Sequence, residues 1–138
     1  MRVAVLADDL IWSTRLRDLV VGAGAEARPV RSVPALEAAL PDIDGVVVDL
    51  TARAYDGVAA ISLARSAGRR VLAVGQHDDA ALRRRALDAG ADRVEPYRRL
   101  FEDGPRVIGR WLGVADGVAR SAADAAADDD ADVAEVPS

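Results

Sequence analysis

The chain has 138 residues, 51% of them apolar, which suits one domain with a core of ordinary size. It contains no cysteine, so disulfides, thiolate metal sites and a cysteine nucleophile are excluded. Charge is unevenly placed: residues 1–115 hold 17 Arg and 16 acids, whereas residues 116–138 hold one Arg and seven acids.

The body is therefore close to neutral, and the acidity belongs to residues 116–138, an Ala/Asp-rich segment expected to be a disordered tail. Residues 1–115 are expected to form the folded domain. All the basic residues are Arg and none is Lys. No apolar run approaches the ~20 residues of a membrane span. The start of the chain meets Asp8 and Asp9 too soon for a signal peptide. A cytoplasmic protein without a membrane partner is expected.

In chain order, Arg2–Ala7 is a short β-type run that stops at Asp8 and Asp9. Leu10, Leu16, Leu19 and Val20 recur at helical spacing up to Gly22. Ala27–Arg31 reads as a second strand. Ser32 suits an N-cap before Pro34, with the helix stopped at Pro41. Val46–Asp49 is continuously apolar until its last residue, the mark of a strand covered on both faces. A helix over Val58–Ala67 closes at Gly68, and Val71–Val74 is a further buried strand. Asp78 and Asp79 cap a helix that runs to Ala89. Arg93–Tyr97 is a weak fifth strand, and Pro105–Leu112 suits a last helix through Val107, Ile108, Trp111 and Leu112. Strand and helix alternate five times. The order predicts an α/β fold, a three-layer, doubly wound (βα)5 parallel sheet of flavodoxin type.

Ligand sites in open α/β sheets lie beyond the carboxyl ends of the strands. Asp8 and Asp9 end the first strand and Asp49 ends the third, so three carboxylates are expected at one rim. Crowded carboxylates repel, and either a proton or a cation must relieve them. Mg²⁺ is the natural oxygen-preferring guest. On that reading Asp49→Asn would stabilise the metal-free protein. Asp8 and Asp9 also have a plainer use, as caps of the helix that follows. A dinucleotide or flavin site is disfavoured, because the first turn carries two negative charges where a glycine-rich phosphate loop would stand.

These residues carry a resemblance. Residues 1–113 resemble the receiver domain of two-component response regulators, through Asp8 and Asp9 after strand one and Asp49 after strand three. The spacing from Asp49 to Asp56 and Gly57 is similar to the family's. So is the stretch from His77 to Asp92, with its Ala86-Leu-Asp-Ala-Gly-Ala run. The resemblance implies that Asp49 is the phosphoryl acceptor. It also implies that Asp8, Asp9, Asp49 and the backbone carbonyl of Thr51 hold Mg²⁺.

The chain departs from the family at the switch positions. Where the family has Thr or Ser at the end of strand four, this chain has Gly75. The family's Lys before a proline falls on Tyr97 by straight counting, or on Glu95 before Pro96 if two residues are dropped. The aromatic switch residue falls on Val94. The metal half of the site is kept and the half that senses phosphate is lost, so the resemblance is to an atypical, stand-alone receiver. It implies a phosphorelay role with Asp49 accepting from a histidine kinase or phosphotransfer protein, with impaired switching. The alternative is a phosphorylation-independent pseudo-receiver acting as a protein–protein adaptor. A Mg²⁺-dependent hydrolase is a further alternative, without a general base or phosphate clamp to support it.

The remaining candidates read as structural. His77 is the lone histidine and stands in a loop. Arg83, Arg84 and Arg85 are consecutive and point to different sides of a helix. Nucleic acid is not expected as a partner of a near-neutral body with few aromatics. A binding protein is expected, not an enzyme, with another signalling protein or a second copy as its partner.

Overall fold

The computed structural model describes residues 1–113; the expected tail, residues 116–138, lies outside the described residues. Five strands form one parallel sheet in the order β2-β1-β3-β4-β5: β1 (Arg2–Leu6), β2 (Glu26–Val30), β3 (Gly45–Asp49), β4 (Arg70–Gly75) and β5 (Arg93–Pro96). The helices are α1 (Leu10–Gly22), α2 (Val33–Ala39), α3 (Gly57–Ser66), α4 (Ala80–Ala89) and α5 (Tyr97–Leu112), with a 3₁₀ turn at Leu40–Asp42. This is the expected doubly wound α/β fold.

The strands are apolar on both faces because helices cover both. Val3, Val5, Val47, Leu72 and Val74 face α1 and α5, where Leu16, Val20, Leu100 and Ile108 complete one core. Ala4, Leu6, Val46, Val48 and Ala73 face α2, α3 and α4, where Leu36, Ile61 and Ala86 complete the other. The caps are those expected: Ser32 Oγ accepts from Ala35 N at 3.2 Å, and Asp79 Oδ1 accepts from Leu82 N at 3.0 Å.

The last helix differs from expectation. It starts at Tyr97, directly after β5, and not at Pro105. The helical path is broken at Asp103 (φ −149°, ψ 36°), two residues before Pro105. Proline lacks the N–H a helix interior needs, and its ring collides with the carbonyl four residues earlier. Sequence periodicity therefore registers only the second half of the element. Gly104 sits at this break against α1, where an added Cβ would lie 2.4 Å from Leu19 Cδ2. We expect Gly104→Val to cost about 1–3 kcal/mol through overpacking, measured by denaturant unfolding. An unchanged midpoint would show that Leu19 moves aside freely.

Strand order reverses between β1 and β3, and the carboxyl ends of these two neighbours open the crevice where such folds place their sites. Asp8 and Asp9 follow one strand, and Asp49 ends the other.

Candidate functional site: an acidic rim closed by tyrosine

Asp49 is 1% exposed, and its carboxylate is satisfied from three sides at one oxygen. Oδ1 accepts from Thr51 N at 2.9 Å and from Thr51 Oγ1 at 2.8 Å. It also accepts a hydrogen bond from the Tyr97 hydroxyl, which itself lies 3.1 Å from Thr51 Oγ1. Hydrogen bonds to an ionised acceptor are the strong kind.

Tyr97 reaches the rim because α5 begins immediately after Pro96, so its first residue stands over the end of β5. The ring is half-buried against Trp12 of α1, with centroids 3.9 Å apart, and Phe101 lies 5.3 Å from Trp12. Burial, and then the hydrogen bond to Asp49, push the Tyr97 phenol well above its ordinary pKa.

The other tyrosine holds the backbone of the same residue. Tyr55 places its hydroxyl 2.8 Å from the Asp49 carbonyl oxygen and 2.9 Å from that of Leu6, tying the ends of β3 and β1 together. Burial, followed by the charges of Asp49 and Asp8, raises its pKa in turn. Sequence reading missed Tyr55 and gave Thr51 a role only through its carbonyl. The available signal was that a buried phenol needs a polar partner, and that this chain has only two tyrosines.

Asp8 and Asp9 turn to other work. Asp9 is the N-cap of α1, with Oδ1 accepting from Ile11 N at 2.8 Å and Trp12 N at 3.3 Å. Asp8 Oδ2 accepts from Arg53 N and Ala54 N, each at 3.1 Å, in the loop that follows Asp49. Among the described residues, no group of three or more His, Asp or Glu side chains is gathered so as to hold a metal ion. The expected Mg²⁺ set of Asp8, Asp9, Asp49 and Thr51 does not fit a shared cation in this arrangement. Each carboxylate has donors of its own, so the expected mutual repulsion is already relieved.

The switch positions fall as follows. Gly75 ends β4, and an added Cβ there would meet Leu50 at an ordinary 3.5 Å, so space does not demand glycine. Val94 is buried on the α3/α4 side. Glu95 pairs in register with Val74, which pairs with Asp49, so the two acids share a row across the sheet. Glu95 stands before Pro96 at the end of β5, as the shortened register requires, yet the group that touches Asp49 is Tyr97. The Glu95 side chain is 3% exposed, with Arg93 Nε at 3.1 Å and Arg99 Nε at 3.6 Å. Acid stands where an ammonium was looked for, and two guanidiniums balance it.

His77 is exposed in the loop before α4, where the sequence places it. No described helix is long and apolar enough to cross a membrane.

No protein-family model matches the sequence, and a comparison with curated proteins gives no match. Solved structures do match in three dimensions. A CheY-like response regulator receiver domain protein from Methanospirillum hungatei JF-1 superposes with a TM-score of 0.64 at 16% identity, over 80% of this chain and 95% of that one. The BeF3-activated DrrB receiver domain gives a TM-score of 0.70 at 16% identity, over 80% and 96%. The signal receiver domain of a DNA-binding response regulator from Colwellia psychrerythraea 34H gives 0.70 at 17% identity, over 81% and 98%. With the strand order, the two-faced core and the acids at the β1/β3 crevice, these likenesses establish that the chain has the fold of a response-regulator receiver domain.

Proposed function

We propose that the chain is a receiver-type signalling module that acts by binding another protein, with its acidic site held shut and no phosphoryl group taken up. The observation that carries this reading is the Tyr97 hydroxyl on Asp49 Oδ1. A carboxylate must present a free oxygen in line with the phosphorus to accept a phosphoryl group. Here Oδ1 is committed to three donors and only Oδ2 is left to attack, and any approach that displaces Tyr97 forfeits a charge-assisted bond of about 1.5–3 kcal/mol. Coupling between a modification and a conformational change is itself typically about 1–3 kcal/mol. Little would remain to drive a switch, and at Gly75 and Glu95 the chain supplies neither the hydroxyl nor the ammonium that would recover it.

A second reading keeps Asp49 as a Mg²⁺-dependent acceptor fed by a histidine kinase or phosphotransfer protein. What favours it is that Asp8 already binds the loop following Asp49, so the acids are coupled. It requires Tyr97 to swing out, and Asp8 and Asp9 to leave their amides for the cation. The full chain should be incubated with acetyl phosphate and Mg²⁺ and its intact mass measured. An unmodified chain is expected. A phosphoryl adduct that disappears in Asp49→Asn overturns the adaptor reading and installs the second.

A further inference from the structure

Six large apolar side chains are exposed among the described residues, and three of them, Leu10, Ile11 and Val21, stand on α1. A fourth, Phe101 of α5, lies beside that helix, its ring 5.3 Å from Trp12. Apolar side chains gathered on one surface mark a contact site, whereas scattered ones do not. At 3.6 residues per turn, positions 11, 15, 18 and 22 fall in one stripe along α1. They hold Ile11, Arg15, Asp18 and Gly22, and all four are exposed.

The charges of this stripe are left for an outside partner. Arg15 lies over the rings of Trp12 and Phe101, 5.7 and 5.2 Å from their centroids. It pairs with no carboxylate among the described residues. Asp18 takes Arg17 at Oδ1, with Nη2 at 3.0 Å, and its other oxygen stays open. At the far end Gly22 leaves a shallow apolar seat, since a Cβ there would lie 3.5 Å from Cγ of the exposed Pro105.

The stripe matches itself. When two copies of α1 run antiparallel about a two-fold axis midway between Arg15 and Asp18, position 15 faces 18 and position 11 faces 22. Each Arg15 then meets Asp18 of the other copy, and each Ile11 enters the seat formed by Gly22 and Pro105. A parallel pairing would set Arg15 against Arg15 and Asp18 against Asp18. An isologous interface requires this self-complementarity. Exposed ion pairs add little attraction, so they fix the register while Ile11 and its apolar neighbours leave water. A helix face about 20 Å long lies at the small end of protein interfaces, which makes the dimer a weak one.

We propose that the outer face of α1, with Phe101 and Pro105 of α5 beside it, is a docking surface for a second copy of this chain, paired antiparallel through Arg15 and Asp18. The proposal does not depend on whether Asp49 takes a phosphoryl group.

Sedimentation equilibrium of the full chain at low salt, from about 10 µM to 1 mM, should show a mass that rises with concentration towards twice that of one chain. Arg15→Asp and Asp18→Arg each set like charges opposite one another, and each alone should weaken association about tenfold or more. An equimolar mixture of these two variants should associate again, because each supplies the charge the other lacks. Both positions are exposed, and circular dichroism checks that the variants stay folded. A single-chain mass throughout the range overturns the proposal. A dimer indifferent to both substitutions lies on another face and overturns it as well. A mixture no heavier than its separate components refutes the antiparallel match.

Discussion

Tyr97→Phe is expected to lower the stability of the protein by about 1–3 kcal/mol, and Asp49→Ala by about 3 kcal/mol or more. The phenylalanine keeps the ring against Trp12 and removes only the hydroxyl that donates to Asp49. Its cost is therefore the charge-assisted bond alone. Asp49→Ala removes the common acceptor of Thr51 N, Thr51 Oγ1 and the Tyr97 hydroxyl together, three bonds at once. The double variant should cost less than the sum of the two, with a coupling of about 1–2 kcal/mol, because the second change finds its partner already gone. Denaturant unfolding of the four proteins gives the cycle.

Asp49→Asn separates two electrostatic pictures. If the carboxylates at the rim repelled one another, removing one charge would stabilise the metal-free protein, as the sequence alone suggests. The structure gives each carboxylate its own donors, so Asn should be less stable than Asp. A neutral amide oxygen accepts the same three hydrogen bonds more weakly. A stabilised Asn variant, or additive effects in the cycle, would mean that Tyr97 does not hold the acid.

The legibility of this chain differs by level. Valine-rich runs revealed β1, β3 and β4, the first two ending at acids, and Ser32 and Asp79 marked where helices begin, because caps and two-faced burial leave local traces. The beginning of α5 left none. Half of its first turns, Tyr97–Glu102, is charged, and the break at Asp103 takes them out of phase with Val107, Ile108 and Trp111. At the site, the position of Asp49 could be read from the strand it ends. Its partner could not. By counting, either Glu95 or Tyr97 could occupy the critical position, and only the close start of α5 brings the phenol to the carboxylate and sends Glu95 to the arginines. The same holds for Asp8 and Asp9, whose choice between metal ligation and backbone amides is a matter of side-chain direction, which sequence spacing does not carry.

Alkaline titration tests the closed rim as a whole. Both tyrosines of the chain have raised pKa values in the folded state, chiefly through burial. In the unfolded chain each ionises near its ordinary value of about 10. Below that pH both states keep the proton, and the stabilisation is fully present. Above it the unfolded chain gives up protons that the folded one retains. Stability must then fall with rising pH, by at most about 1.4 kcal/mol per unit for each phenol and less in proportion to its solvent exposure. Two phenols acting together would consume a typical stability of about 5–15 kcal/mol within a few pH units. Phenolate absorbance should accordingly stay flat through pH 10 and then rise in the same transition that exposes Trp12 and Trp111 fluorescence to water. In Tyr97→Phe the slope of stability against pH should be roughly half as steep, since one linked proton remains. A phenolate signal that titrates reversibly near pH 10 in the folded protein, with tryptophan fluorescence unchanged, would show that a tyrosine is free of Asp49, and the rim would then be open to phosphoryl chemistry.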